Sequence, residues 1–310
     1  MRGVVLLNMG GPNNLDEVEL FLKNMFNDSN ILPIKNKLMR RFVAYAITTG
    51  RKKEARSNYE RLGGQSPLNF YTDRVIQKLQ KRLPDTFVTK AMRYTPPFAK
   101  DAIKELMARN IKEVYLLPLY PHYSTTTTKS SLEDFYNTAK GVGYHARFHD
   151  IANFYQEPLF NQAITQRIEE AMEGRDPKEF DLIFSAHSLP QSIVKRGDPY
   201  PFEVQEHIEI LKKMIGHRFR RDVHLAYQSK LGPVKWLEPS LEEKLQSLQN
   251  KKVLVYPISF VLDNSETEFE LHIEYKEIAK KLGFDEFIVA RCPNDSDTFV
   301  EALAKIYQRM

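Results

Sequence analysis

The chain has 310 residues, 42% hydrophobic and 27% charged, which is a globular composition sized for one large domain or two ordinary ones. Its single cysteine, Cys292, excludes an internal disulfide and any cysteine-ligated zinc or iron–sulfur site built by one chain. The formal charge of +5 is small beside 45 basic and 40 acidic residues; without a concentrated basic arm and interleaved aromatics it argues against a nucleic-acid partner. It suits an anionic small substrate or a membrane surface equally well.

The opening run, "MRGVVLLNMGGP", is too short in apolar residues for a signal peptide, and no run is long enough to span a bilayer. A cytoplasmic protein, able to touch a membrane peripherally, is the expectation. Short β-branched apolar runs then recur. Strands are predicted at 3–9, 87–94, 114–120 and 146–151, and again at 181–187, 223–229, 252–260 and 286–292. Between them lie helical patterns such as "DEVELFLKNMF", "PPFAKDAIKELMARN", "PLFNQAITQRIEEAM" and "PFEVQEHIEILKKMIG". Strand–helix alternation with near-continuous apolar strands predicts parallel sheets covered on both faces.

The two groups of four strands resemble each other. "VYLLPLYPHYSTTTTKSS" and "VLVYPISFVLDNSETEFE" both run through a proline into a polar turn, as do "LLNMGGP" and "FSAHSLP". Two similar α/β domains are therefore expected, 1–150 and 151–293, with a terminal helix at 294–310 packing on either half. "KNKLMRRFVAYAITTGRKKEAR" (35–56) reads either as a solvated helix with one buried face or as a basic mouth that meets a membrane or an amphiphilic ligand.

In open α/β sheets ligands bind beyond the carboxyl ends of the strands. The strands place Met9–Gly10–Gly11, Arg93–Tyr94, Tyr120–Ser124, His187–Ser188, Gln228–Ser229 and Asp263–Glu266 there. A lone strand-end histidine such as His187 is often only hydrogen-bonded structure. Glu266 follows the matching strand of the same half, however, and one imidazole with one carboxylate suits a borderline divalent metal such as Fe²⁺ or a proton acceptor. Glu266, Glu270 and Glu274 are four apart, one stripe of an α-helix, where like charges repel. The stripe is either a solvated face or a path for cations or protons. "NMGGP" and "RLGGQSP" match neither a dinucleotide nor a P-loop fingerprint. Trp236, the only tryptophan, sits among Gly, Pro and Lys, where it could support a flat ligand.

"LLNMGGP", "RLGGQSPL", "MRY", "LPLYPHYSTTT", "FSAHSLPQSIVKRGDPYP", "YQSKLGPVKWLEPS" and "PISFVLDNSETEFELHIEY" occur in order over almost the whole chain. On these motifs the chain resembles ferrochelatase, which inserts Fe²⁺ into a porphyrin to make haem. The resemblance implies two Rossmann-like domains, each a four-stranded parallel sheet flanked by helices, with porphyrin in the cleft between them. It implies His187 and Glu266 as the catalytic and metal-handling pair, and Glu270, Glu274 and Asp263 as an acidic metal or proton path. Met9, Arg51, Tyr59, Ser66, Arg93, Tyr94, Tyr120, Ser229 and Trp236 would bind porphyrin, with pocket lips at about 26–45. Porphyrin and Fe²⁺ are then substrates, with no permanent cofactor. The resemblance is to the short bacterial form without an iron–sulfur cluster, and it leaves the haem acceptor open.

Three residues depart from the family pattern: Asn264 stands for a histidine, His272 for an acid and His122 for a glutamine. Protoporphyrin IX is the expected substrate. Coproporphyrin, cobalt insertion into a related tetrapyrrole and a non-catalytic haem carrier are the alternatives.

Overall fold

A computed structural model describes residues 1–219, 223–230 and 232–310. The chain divides into two compact units, Met1–Asn153 with Leu303–Met310, and Phe154–Ala302.

The first unit runs β1 (Arg2–Asn8), α1 (Glu17–Asn27), α2 (Lys37–Arg61), α3 (Leu68–Arg82), β2 (Thr86–Met92), α4 (Ala99–Ala108), β3 (Glu113–Pro118), a π-helical turn (Thr125–Lys129), α5 (Ser130–Gly141) and β4 (Arg147–Asp150). The second runs α6 (Pro158–Met172), β5 (Asp181–His187), α7 (Gln191–Val194), α8 (Tyr200–Ile215), β6 (His224–Gln228), α9 (Leu241–Ser247), β7 (Lys252–Pro257), a π-helix (Glu266–Tyr275), α10 (Lys276–Lys281) and β8 (Glu286–Val289). The last helix, α11 (Asp297–Arg309), packs Phe299 against Phe160, while Tyr307 meets Tyr115 edge-on and shares a 3.1 Å hydrogen bond with Thr86.

Both sheets are parallel and share one order, β2-β1-β3-β4 and β6-β5-β7-β8. The central strands are apolar throughout because both faces are covered. Six of the seven residues of β1 are buried, and in β5 only His187 is not. Val5, Leu7, Ile103, Leu116 and Phe135 form part of one core; Ile183, Ala226, Val253, Val255 and Leu271 form part of another. In each unit the chain leaves the central strand (β1 or β5) to one side, then returns to its other side. This reversal opens a crevice at the carboxyl ends of β1 and β3, and of β5 and β7.

All eight expected strands form, but only β5 reaches its predicted end; β1, β4 and β6 stop one residue short, and β2, β3, β7 and β8 stop two or three short. At β3 and β7 the last residue is Pro118 or Pro257, which has no N–H to carry the ladder. The acidic stretch also differs from the α-helix expected. Its hydrogen bonds close from i to i+5, which widens the turn. No helix among the described residues is long and apolar enough to cross a membrane.

Helix α8 turns a histidine into the core. His207 is fully buried, its Nε2 lies 2.7 Å from Asn161 Oδ1, and its ring lies near those of Tyr155 and Phe160. Burial pushes its pKa down to about 3, against about 6.5 in an unfolded chain. The native state therefore resists protonation that the unfolded state accepts. Stability held above pH 6.5 should fall toward pH 3, by up to about 1.4 kcal/mol per pH unit. Thermal unfolding over that range should show His207→Gln losing less than wild type; parallel curves would show that His207 does not titrate abnormally.

Candidate active site

Strand β5 delivers His187 to the crevice of the second unit and holds its backbone. The His187 N–H donates to Ser259 Oγ at 3.0 Å, and its carbonyl accepts from the Tyr200 hydroxyl at 2.8 Å. Tyr200 and Ser259 are themselves 2.5 Å apart. The imidazole is left pointing outward, edge-on to Phe260. Its Nδ1 lies 3.3 Å from Glu266 Oε1, close enough for strong charge interaction but off the line of a hydrogen bond. The two side chains are 34% and 27% exposed, so the pair is partly desolvated yet reachable.

Glu266 begins the π-helix after β7. Asn264 Oδ1 accepts from the Glu266 N–H at 2.8 Å, a local Asx turn that aims the glutamate. The residue at the departure from the family pattern thus makes a backbone contact that needs no proton. Asp263 is placed differently from its neighbours in the acid row. It is fully buried and accepts from Asn294 Nδ2, the Cys292 N–H and Thr267 Oγ1 at 2.6, 3.1 and 3.3 Å. Its field acts on Glu268 and His272, the opposite side of the helix from Glu270. His272, whose basicity burial lowers, therefore belongs with Asp263 and Arg291 rather than with the row.

Glu270 is clamped by donors. The Ser229 N–H and Gln228 Nε2 reach its two oxygens at 2.7 and 3.1 Å, and Ser229 Oγ donates as well. Ser229 adopts φ 65°, a left-handed conformation costing a non-glycine residue of order 1–3 kcal/mol. The clamp on Glu270 is what that backbone geometry serves. Burial pushes the Glu270 pKa up to about 7; the Glu266 charge adds to this, and the Ser229 bonds oppose it. Glu270 and the exposed Glu274 both bear on the Tyr275 phenol, which burial first and then these acids drive upward. The three glutamates thus run from half-buried Glu266 and Glu270 to exposed Glu274, and of the first two Glu270 is the one closed in by donors.

Trp236 is half-buried. It bridges to Pro190, and its carbonyl accepts from Gln191 Nε2 at 3.0 Å, so its loop lies along the segment just after His187. Leu231, inside the same "QSKLGPVKW" motif, lies outside the described residues.

The other porphyrin-binding candidates belong to the first unit. Met9 ends the β1 turn, where Gly10 at φ +83° passes Thr95 so closely that a Cβ would sit 2.4 Å from its Oγ1. A Cβ on Gly11 would sit 2.5 Å from Ser66 Oγ, so Gly11 is what lets Ser66 approach. Tyr59 is buried, and Arg51 is half-buried with its Nε lacking a hydrogen-bond partner. On α2, Leu38, Met39, Phe42 and Tyr45 face outward at 55–75% exposure, interleaved with Lys37, Arg40 and Arg41.

Arg93, Tyr94 and Tyr120 sit at the strand ends as expected but are consumed by scaffold contacts. Arg93 pairs with Asp28 at 3.1 Å and Asp134 at 3.3 Å, and donates to Ser130 Oγ at 2.9 Å. The Tyr94 hydroxyl donates to Asp28 at 2.9 Å, and Tyr120 and Ser131 share a 3.0 Å bond. Burial drives both phenols upward, and Asp134 as well. Asp28, Ser130 and Asp134 escaped the sequence reading because they come from the end of α1 and from α5, far from "MRY" along the chain. His122 is buried too. Among the described residues no three His, Cys, Asp or Glu side chains gather into a metal site.

The family profile described as ferrochelatase matches residues 1–310. The chain belongs to the ferrochelatase family. A Nitratiruptor protein named ferrochelatase is 74% identical over the full length of both chains. Those named ferrochelatase from Sulfurimonas denitrificans and Wolinella succinogenes are 51% and 50% identical, covering 100% and 98% of this chain and 99% and 97% of their own. Among solved structures, SirB from Bacillus subtilis superimposes with a TM-score of 0.57 at 10% identity, over 77% of this chain and 87% of its own. A multi-domain Deinococcus radiodurans protein described as similar to chelatases gives 0.56 at 12% identity, over 98% of this chain and 54% of its own. These two likenesses concern the fold alone.

The Arg93 network has a direct test. Arg93→Met would strand two carboxylates, one fully desolvated, and should cost about 3–5 kcal/mol in chemical denaturation. A variant as stable as wild type would mean that Arg93 is a surface cation free for a ligand. For Glu270, a carboxyl raised above its unfolded value of 4.5 adds stability below that value and loses it as pH rises through about 7. Glu270→Gln should therefore gain in Tm on wild type between about pH 5 and about pH 8; a constant difference would show that Glu270 titrates normally.

Proposed function

We propose that this chain inserts Fe²⁺ into a porphyrin, releasing the two pyrrole N–H protons, the step that forms haem. The observation that carries the reading is the His187–Glu266 pair at the crevice of a parallel sheet, leading into Glu270 and Glu274, in a chain that matches the ferrochelatase family throughout.

Metallation requires two protons to leave and the metal to exchange water for ring nitrogens. An imidazole at His187 can accept a pyrrole proton, or ligate the incoming ion while Glu266 takes the proton; both suit a borderline metal as substrate. Glu270, with a pKa near 7, can gain and lose a proton at neutral pH, as a relay to the exposed Glu274 requires. Asp263, held by its own three donors, is assigned to the support of the helix rather than to this route. Met9 and Trp236 supply apolar surface for the macrocycle. Arg51, Tyr59 and Ser66 are the candidates for its carboxylates, whereas Ser229 spends both its donors on Glu270, and Arg93, Tyr94 and Tyr120 support the pocket from behind.

Protoporphyrin IX is the proposed substrate. Anaerobic absorbance assays with Fe²⁺ and with Co²⁺, using protoporphyrin IX and coproporphyrin III in parallel, identify metal and ring together. His187→Ala and Glu266→Gln should each lose about 10²–10⁴-fold in kcat while porphyrin affinity is kept. Wild-type protein that binds porphyrin without inserting any metal would defeat the reading. Mutants that lose porphyrin binding along with turnover would remove the chemical role of the pair.

A further inference from the structure

Gln228 ends β6 directly beside His187 in the parallel register, and it is fully buried. Its hydrogen-bonding capacity is used on both sides. Oε1 accepts from Ser185 Oγ on β5 at 2.7 Å. Nε2 donates to the Glu266 carbonyl at 3.2 Å and to Glu270 Oε2 at 3.1 Å. Its backbone carbonyl accepts from the Ser188 N–H at 2.8 Å, next to His187. One residue therefore ties the strand that carries the histidine to the helix that carries the acids.

The chemistry of the amide is specific to this place. One side must accept and the other must offer two N–H donors, which among side chains of this length glutamine provides. The Glu266 carbonyl and the Glu270 carboxylate, which accept, select the orientation, and the Ser185 hydroxyl completes it by donating to the amide oxygen. A flipped amide would set its oxygen against the Glu266 carbonyl and the Glu270 carboxylate. Ser229 follows in the chain and gives Glu270 its other two donors, so Gln228 and Ser229 together close the cradle.

We propose that Gln228 is a positioning residue for metal insertion: its oriented amide locks the start of the π-helix to β5, so that Glu266 stands beside His187 with Glu270 behind it. The assignment rests on the metallation reading above. It acts through the alignment of the pair, so it bears on the chemical step and on the metal rather than on the macrocycle.

Three variants test it by steady-state insertion, with Tm and circular dichroism measured on each. Gln228→Met keeps the volume and removes the lock. Gln228→Glu keeps the shape and the acceptor but replaces the donor with an oxygen. Ser185→Ala leaves the amide in place without the donor to its oxygen. A misplacement of about 1 Å costs about 10²-fold, and losses of that order in kcat, with KM for Fe²⁺ raised and KM for porphyrin little changed, are expected for both Gln228 variants. Ser185→Ala should show a smaller loss of the same pattern. Wild-type kcat and Fe²⁺ KM in Gln228→Glu and Ser185→Ala would overturn the assignment even if Gln228→Met fails to fold. So would a loss that raises porphyrin KM as much as it lowers kcat, since that marks general loosening. Wild type in the same assay separates the two readings: no insertion defeats metallation itself, whereas normal wild-type turnover with unaffected variants defeats the role of Gln228 alone.

Discussion

The arrangement depends on one constraint, the insertion of β5 between β6 and β7 as a buried parallel strand. Parallel ladders put all carboxyl ends on one edge, so His187, Gln228 and the turn leading to Glu266 emerge together. Burial of β5 on both faces leaves its backbone no freedom, and Tyr200 and Ser259 complete the hold at its last residue. The imidazole is consequently placed by the sheet rather than by its own contacts, and is left open toward the crevice.

Against that fixed edge the acids are set by a helix of unusual turn. Leu271 anchors the π-helix in the core, and Asp263, Thr267 and Asn294 anchor its start. The result places carboxylates in graded environments instead of a uniform solvated row. Burial makes Glu270 reluctant to ionise, while three donors keep the ionised form accessible. A group balanced in this way is suited to moving protons, whereas Asp263, fully buried and enclosed by three donors, is suited to structure.

The first unit treats its strand ends differently. Where the second unit leaves a histidine and a glutamate half-open, the first closes Arg93 with two carboxylates and buries Tyr94 and Tyr120 behind it. Such a network is costly to break and of little net worth against an apolar core, so its value lies in fixing the geometry of the turns beside Met9 and Ser66. The same topology thus yields a half-open polar edge in one unit and a closed, networked edge in the other.

What the sequence by itself determined was the periodicity and the motifs. Apolar runs of strand length announced eight parallel strands, although the reading ran past Pro118 and Pro257, where two of them stop. The family motifs brought His187, Glu266, Ser229 and Trp236 into view. These features were legible because each is local: a strand's burial and a turn's chemistry are written in adjacent residues. Only the tertiary structure decided which polar groups are spent on one another. Asp28 and Asp134 claim Arg93 from the end of α1 and from α5, Asn294 claims Asp263 from beyond β8, and Ser185 holds the Gln228 amide from the neighbouring strand. The fold likewise parts Asp263 and His272 from the glutamate series, though the family resemblance had placed them with it. Hydrogen bonds between residues distant in sequence have no periodic signature, so the split between reactive and structural acids emerges only once the chain has folded.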